Sequence, residues 1–246
     1  PVHRVNRLHA VILSGGSVFG LDAASGVASY LEQEGVGFQV GQALVPIVSS
    51  AILFDLGLIT SEVRPGVEEG RLACLAASAS PLVEGSVGAG TGATVAKAGG
   101  LGGIVKSGLG CASLRLGNGV VVAAVVAVNA YGGVQDFRSG RLIAGPRRKD
   151  GQGFHDSVEL CLREGTVDDA PRLTNTTIGL VATDAALSRE DANYLAGASH
   201  DGLALTIRPC HTDRDGDTMF AMATHRVQAA VDLTALGTAA VEVTAE

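Results

Sequence analysis

Asparagine followed by two threonines, where a polar stretch gives way to an apolar run, is a combination that could do chemistry by itself. The tripeptide is Asn175-Thr176-Thr177, and the apolar run covers residues 178–182. A threonine hydroxyl can attack the peptide bond before it, and breaking that bond would give Thr176 a free α-amine. The ordinary pKa of such an amine, about 7.7–8.0, suits a general base near neutral pH. One residue would then supply nucleophile and base, although threonines are also ordinary residues with which to open a strand.

A second group of reactive side chains is the acidic run that follows His211, with carboxylates at every second position. Alternate residues of an extended strand point to the same side, so Asp213, Asp215 and Asp217 are expected to project together. Neighbouring carboxylates need a cation between them, which could be a metal ion, a lysine or a free α-ammonium group. The spacing does not fit an EF-hand loop. A solvated turn is the alternative interpretation.

Two further polar residues stand in apolar surroundings. Lys97 ends a glycine-rich segment, residues 88–97, that lacks the motif of a phosphate-binding loop and the spacing of a dinucleotide fingerprint. It is either a functional group or a surface lysine that reaches solvent. Asn129 ends an apolar strand, as a structural hydrogen-bonding residue or as a donor to an oxyanion. His200 and His211 have no paired acid and nucleophile in the sequence, and we interpret them as structural.

Hydrophobic periodicity predicts the elements that position these groups. Residues 9–13 indicate a buried strand, and Ser17 caps a helix that reaches about Glu34. Further strands are predicted over 43–48, 113–116, 120–128 and 177–183, and further helices over 67–80, 188–207 and from Asp232 onward. A turn at 117–119 predicts a hairpin, and the polar residues 132–173 predict a solvated, mobile connector. Strands joined both by helices and by tight turns indicate a mixed sheet system.

Composition excludes several classes of function. Hydrophobic residues make up 46% of the 246 residues, which supports a sizeable core. The net charge of −7 and the absence of a long basic block argue against nucleic acid as a partner. Four widely spaced cysteines predict reduced thiols and no metal site. The longest apolar run, residues 120–128, is too short to span a membrane. With no signal-peptide pattern at its start, the chain is expected to be cytoplasmic.

The pieces together resemble one family of self-cleaving N-terminal-nucleophile hydrolases. It includes the L-aminopeptidase/D-amidase enzymes, the β-aminopeptidases and the endo-type 6-aminohexanoate (nylon) oligomer hydrolases. The likeness covers essentially the whole chain, and its segments are residues 13–17, 48–55, 88–97, 128–129, 175–178 and 211–218. The last two segments, with their spacing, are the specific ones.

The resemblance implies a fold and a maturation step. We expect a single hydrolase domain over residues 1–246, of mixed α/β class, built as a four-layer αββα sandwich. Autocleavage between Asn175 and Thr176 would give an α-chain of residues 1–175 and a β-chain of residues 176–246 that stay associated. The family also implies a homo-oligomer, a tetramer of processed protomers.

The same resemblance implies roles for particular residues. Thr176 would be the catalytic nucleophile, assisted by Asp215 and Asp217, while Lys97 and Asn129 would line the site. The carboxylates would hold the Thr176 ammonium group, Lys97 would offset their charge, and Asn129 would donate to the oxyanion.

Substrate contacts are implied for Phe54 and Thr177. The nylon-hydrolase relatives carry a tyrosine where this chain has Phe54, so no phenolic hydroxyl is available there. The expected substrate is a small peptide or an oligoamide, and no cofactor or metal is expected.

Two other functions stay open. The ornithine acetyltransferases share the architecture, so an acyltransferase that uses the same acyl-enzyme is one alternative. A non-catalytic ligand-binding member of the fold is the other, and it predicts a chain that stays intact.

Overall fold

The structure is a computed structural model, and it describes residue 5 and residues 7–57, 60–164 and 175–246. Within these ranges there are five α-helices: α1 Asp22–Gln33, α2 Val67–Ala76, α3 Ser157–Glu164, α4 Arg189–Thr206 and α5 Leu233–Ala245. None of the helices in these ranges is both long and apolar enough to cross a membrane.

Thirteen β-strands lie in the same ranges. They are β1 Ala10–Ser14, β2 Phe38–Val40, β3 Ala43–Val45, β4 Val48–Ile52, β5 Thr94–Val95, β6 Val105–Lys106, β7 Leu109–Arg115, β8 Val121–Ala127, β9 Gly133–Gln135, β10 Leu142–Ala144, β11 Ile178–Ala185, β12 Ile207–Arg208 and β13 Thr218–Val227. The strand predicted over 177–183 is β11, and the hairpin predicted around 117–119 joins β7 to β8.

A four-stranded sheet forms the centre of the molecule, in the order β13-β11-β8-β7. β11 runs parallel to β13 and antiparallel to β8, and β8 is antiparallel to β7. Buried and half-buried residues alternate along β8 up to Val126, and Ala127 after it is also buried, as expected for a strand that is covered on both faces. The sheet therefore holds β11, which opens immediately after Thr177, between two neighbours.

A second layer consists of the parallel pair β1 and β4. A small apolar cluster lies between this pair and the central sheet, with Leu53 following β4, Ala127 in β8 and Ile178 in β11. On the outer side, α1 packs against β1 and β4, and α2 packs against α1.

Helices α4 and α5 cover the opposite face of the central sheet. They pack against each other, and they contact β13 and β8 respectively. Both begin with the caps expected from the sequence: Ser188 accepts from the N–H of Asp191, and the Asp232 side chain accepts from the N–H groups of Thr234 and Ala235. The predicted αββα sandwich is thus confirmed.

Helices α1 and α2 touch backbone to backbone. A Cβ atom added at Gly26 would lie 1.9 Å from the carbonyl oxygen of Val67, and one added at Gly70 would lie 2.0 Å from that of Ala23. Real side chains cannot approach so closely, so the absence of a Cβ at both positions allows this helix crossing.

Three predictions about the elements were wrong. Ser17 does not cap the helix that follows it: it opens a short 3₁₀ helix, Ser17–Leu21, and α1 begins only at Asp22, without a side-chain cap. The φ of Ser17 is 55°, whereas an N-cap residue needs an extended backbone. The strand predicted over 43–48 is two strands, β3 and β4, because Pro46 lies between them and lacks the N–H that a continuous strand would use. The segment 132–164 is not a structureless connector. It contains β9, β10 and α3, and β9 pairs with both β10 and β12. Residues 165–174 of that predicted connector lie outside the described part of the chain.

Candidate active site

The parallel pairing of β11 with β13 brings two distant segments together at one end of the sheet. The register aligns Ile178 with Thr218, and one further bridge extends the pairing backwards to Asn175 and Asp215. Residues that precede β11 therefore lie beside residues that precede β13. The two specific motifs of the sequence meet at this point, although about 40 positions separate them.

Thr176 contacts the peptide group that it is predicted to attack. Its Oγ1 donates to the carbonyl oxygen of Asn175 at 2.5 Å. The same oxygen accepts from the N–H of Gly216 at 2.8 Å, while the N–H of Thr176 donates to the carbonyl oxygen of Asn129 at 2.9 Å. Asn175 is buried and Thr176 is half-buried. The Asn175 carbonyl is thus polarised by two donors, next to a partly accessible hydroxyl.

Asp215 is held inside the turn that precedes β13. Its Oδ2 accepts from the N–H and the hydroxyl of Thr212, at 3.1 and 2.6 Å, and its Oδ1 accepts from the N–H of Tyr131 at 3.1 Å. These bonds tie the turn to the chain that follows β8 and Asn129. The carboxylate is therefore fixed in orientation before any substrate arrives.

The side chain of Asp217, the residue after Gly216, is almost fully buried. Its Oδ1 accepts from the N–H of Thr177 at 2.7 Å. Its Oδ2 lies 2.8 Å from Nδ1 of His211. Asp217 thus holds the backbone directly after the predicted nucleophile.

Lys97 is buried, in contrast to a surface lysine that reaches solvent. Its Nζ donates to Oδ1 of Asn129 at 2.7 Å and to the carbonyl oxygen of Asn129 at 3.4 Å. Burial lowers the pKa of Lys97 to about 7, and the negative charge of Asp215 opposes that shift. Both protonation states of the amine are therefore available near neutral pH.

Asn129 is fully buried and makes hydrogen bonds with each end of its amide. Its Oδ1 accepts from Lys97 and from the N–H of Thr94, and its Nδ2 donates to the carbonyl oxygen of Phe54 at 2.9 Å. An amide group carries two N–H donors, so the contact with Phe54 leaves a second one.

The position of Phe54 depends on its neighbour Asp55. Oδ1 of Asp55 accepts from the N–H of Gly16 at 2.7 Å. Cβ atoms added at Gly15 or Gly92 would lie 2.5 or 2.4 Å from Oδ2 of Asp55. Two glycine segments of the sequence therefore close around this carboxylate, and they position the chain that carries Phe54.

The structure brings most of the predicted site residues together and separates one acidic residue from them. Asp213 is exposed in a turn that is closed by Thr212 and Asp215, so the extended strand assumed for the acidic run is wrong at this position. Thr177 is fully buried, and within the described residues its hydroxyl has no hydrogen-bond partner. A contact between Thr177 and substrate stays a prediction.

Sequence reasoning missed the contact between His211 and Asp217. We interpreted His211 as structural because no acid was paired with it in the sequence. The pairing arises because the turn at 212–215 reverses the chain and brings the side chain of His211 next to that of Asp217. The thiol of Cys210 also lies 3.8 Å from Oδ2 of Asp217. The sequence signal that could have predicted this contact is a histidine and an aspartate on opposite sides of a turn.

Solved structures share the fold of this chain. A β-aminopeptidase from a Burkholderia species aligns with a TM-score of 0.61 at 22% identity, over 96% of this chain and 64% of the other. An L-aminopeptidase D-Ala-esterase/amidase from Ochrobactrum anthropi, described as a variant of the Ntn-hydrolase fold, aligns with a TM-score of 0.59 at 18% identity, over 92% of this chain and 60% of the other.

Relatives with higher identity include a Mycobacterium leprae protein described as an uncharacterized aminopeptidase. It is 40% identical over an alignment of 236 positions, and the alignment covers 93% of this chain and 63% of the relative. A 6-aminohexanoate-oligomer endohydrolase of an Agromyces species is 33% identical over an alignment of 250 positions, which covers 96% of this chain and 69% of the relative. The chain thus spans somewhat less than two thirds of the mycobacterial protein. The model of peptidase family S58 matches residues 2–246, and the chain belongs to that family.

Proposed function

We propose that this protein is an autoprocessed N-terminal-threonine amide hydrolase. Thr176 cuts the bond that joins it to Asn175 and afterwards forms an acyl-enzyme with substrate amides. The observation that carries this proposal is the convergence of the Thr176 hydroxyl and the Gly216 N–H on the carbonyl oxygen of Asn175, at 2.5 and 2.8 Å.

Cleavage follows from that contact in two steps. Oγ1 of Thr176 bonds to the carbonyl carbon of Asn175, the C–N bond breaks, and the hydroxyl proton passes to the departing nitrogen. The N–H of Gly216 stabilises the negative charge that develops on the carbonyl oxygen. One water molecule then hydrolyses the resulting ester, which leaves a carboxylate on Asn175 and a free amine and hydroxyl on Thr176.

Lys97 is the group that we propose to move the proton. The carbonyl oxygen of Asn129 accepts from Lys97 Nζ and from the Thr176 N–H. This shared acceptor joins Lys97 to the backbone of the nucleophile. A pKa of about 7 lets this amine take up a proton and return it near neutral pH. The α-amine of Thr176 provides a second base once the chain is cut.

Asp215 and Asp217 orient this machinery. In the intact chain Asp215 accepts from backbone N–H groups and from Thr212, and Asp217 accepts from the N–H of Thr177. After cleavage the new α-ammonium group lies next to the segment that these two carboxylates hold, and we propose that they stabilise its charge. The second N–H of Asn129 is the proposed donor to the oxyanion formed on substrate.

The substrate that we propose is a small peptide or an oligoamide, contacted by Phe54 and Thr177. The support comes from the names of the relatives, an aminopeptidase and a 6-aminohexanoate-oligomer endohydrolase. We further propose a cytoplasmic location and a homotetramer of processed protomers. Size-exclusion chromatography with light scattering tests the tetramer.

Intact-mass measurement after purification tests the proposal as a whole. Wild type is expected as two fragments, one that ends at Asn175 and one that begins at Thr176, and Thr176→Ala is expected as a single chain. Thr238→Ala, an exposed threonine in α5, is the matched control and should be cut like wild type. A wild-type chain that stays whole would favour a non-catalytic member of the fold.

Turnover assays separate the two enzymatic alternatives. The cut protein is expected to hydrolyse members of a panel of peptide, β-peptide and aminohexanoate amides. The same assays are repeated with added amine acceptors. Acyl transfer to the amine that outruns hydrolysis would overturn the hydrolase in favour of an acyltransferase.

A further inference from the structure

Three side chains of different chemistry converge beside the proposed catalytic carboxylate. The ligand atoms of Cys210, His211 and Asp217 all lie within 4.8 Å of one another. Oδ2 of Asp217 is 2.8 Å from Nδ1 of His211 and 3.8 Å from Sγ of Cys210. We propose that these three residues form a binding site for a thiophilic divalent cation such as Zn²⁺, and that the bound cation inhibits the enzyme.

The donor set and its dimensions suit Zn²⁺. Thiolate, imidazole and carboxylate are its three ordinary protein ligands, and three protein ligands with one open position are a common arrangement. Bond lengths near 2.0–2.3 Å in a tetrahedron place the ligand atoms about 3.3–3.7 Å apart. The Cys210–Asp217 distance is close to that range. The His211–Asp217 pair must open by about 0.5 Å, which a small rotation of the half-exposed imidazole achieves.

One oxygen of Asp217 can serve the cation while the other keeps its bond to the backbone. Oδ1 is engaged by the N–H of Thr177, and Oδ2 faces His211 and Cys210. The site can therefore form without breaking the bond that holds the backbone next to Thr176. The open fourth position is left to water, because the exposed side of His211 faces solvent.

The same three residues do not form a cysteine nucleophile with its base. A nucleophilic cysteine needs a lowered pKa. Burial raises the pKa of Cys210 to about 12, and the charges of Asp217 and Asp215 add to that rise. A bound cation reverses this balance, because it stabilises the thiolate and displaces the proton.

His200 provides support from the adjacent helix. Its ring lies 4.9 Å from the ring of His211.

Inhibition rests on the proposed function of this site. A divalent cation on Oδ2 neutralises the carboxylate that is proposed to stabilise the Thr176 ammonium group. We expect it to slow substrate hydrolysis, and removal of the cation by a chelator should restore the rate.

Cobalt spectroscopy tests the site without any assay of activity. Reduced, metal-free protein is titrated with Co²⁺, and wild type should show a thiolate-to-cobalt charge-transfer band that saturates at one equivalent and is removed by Zn²⁺. Cys210→Ser should lose the band and bind Zn²⁺ at least tenfold more weakly in competition with a chromophoric chelator. Cys111→Ser, which changes an exposed cysteine, should keep both. A band that survives in Cys210→Ser, or that disappears in Cys111→Ser, overturns the site.

A second measurement tests inhibition. Zn²⁺ should lower the hydrolysis rate of wild type at least tenfold, and Cys210→Ser should need at least tenfold more Zn²⁺ for the same effect. Equal sensitivity of the two proteins overturns the inhibitory role. If wild type neither cuts itself nor hydrolyses amides, the proposed function fails, whereas the cobalt band still decides whether the cation site exists.

Discussion

Lys97 and Asn129 are joined by a buried hydrogen bond of 2.7 Å from Nζ to Oδ1, and the backbone oxygen of the same asparagine holds the N–H of Thr176. One asparagine therefore links the lysine to the threonine. In the proposed mechanism, this link connects a lysine that is distant in sequence to Thr176. The charge of Lys97 depends on folding, because burial in the folded chain lowers its pKa.

The first prediction concerns the dependence of stability on pH. Below about pH 7 Lys97 is protonated in folded and unfolded chains alike, so the cost of its burial is constant. Between about 7 and its ordinary value of 10.5 the unfolded chain binds more protons, so the free energy of unfolding rises by up to about 1.4 kcal/mol per pH unit.

The measurement is urea unfolding at pH 7 and pH 9 in the Thr176→Ala background, which is expected to stay a single chain. Lys97→Met should lose the rise that Lys97 causes. Lys149→Met, an exposed lysine, should keep it. Equal pH dependence in all three proteins would contradict the role of burial.

The second prediction concerns the space beside the Thr176 hydroxyl. A Cβ atom added at Gly216 would lie 3.1 Å from Thr176 Oγ1 and 3.7 Å from the carbonyl oxygen of Asn175. Gly216→Ala keeps the N–H donor but displaces the hydroxyl, so we expect cutting of the precursor to slow about tenfold, or about 1.4 kcal/mol in activation free energy. A gel time course measures it, with Gly117→Ala, where an added Cβ has open space, as the control that should cut at the wild-type rate.

The third prediction concerns the crossing of α1 and α2. Gly70→Ala places a methyl group against the carbonyl oxygen of Ala23, and the strain should cost about 1–3 kcal/mol of stability. Gly197→Ala, in the interior of α4 with open space around the new methyl, should instead stabilise the protein by about 0.5–1 kcal/mol. Thermal unfolding compares the two, and a shift of the same sign in both would refute the close crossing.

The fourth prediction concerns the start of α5. The Asp232 carboxylate accepts from two N–H groups of the first turn, so Asp232→Ala should cost about 0.5–2 kcal/mol and Asp232→Asn much less. Urea unfolding measures both. Asp213→Ala removes an exposed acid that caps no helix, and it should have little effect. A loss as large in Asp213→Ala as in Asp232→Ala would mean that net charge, and not the cap, determines the result.

The sequence predicted an element best where a side chain forms a hydrogen bond to backbone only a few residues away. Ser188 and Asp232 marked helix starts because a cap bonds its own first turn. The segment 132–164 was misread because β9 is short and is stabilised by β10 and β12, and no local periodicity reveals such pairing.

In the candidate site, too, the sequence predicted some features, and others depend on the tertiary structure. Thr176, Asp215 and Asp217 were grouped from two motifs, and the parallel pairing of β11 with β13 brings those motifs together. The sequence could not predict that Asp213 turns away or that His211 folds back onto Asp217, because both depend on the path of one turn. The Gly216 N–H was missed because every residue except proline carries a backbone N–H, so the residue type does not show which one serves as a donor.

The placement of β11 has a further consequence for a protein that is cut before Thr176. This strand belongs to the downstream fragment, yet it lies between β8 of the upstream fragment and β13 of its own. Strands of the two fragments would therefore remain neighbours in one sheet. Neither fragment could dissociate without exposing the apolar residues that it buries against the other. Once denatured, the pair would have to find each other by diffusion. Recovery of the native state would then slow on dilution, whereas the uncut chain would refold at a rate independent of concentration.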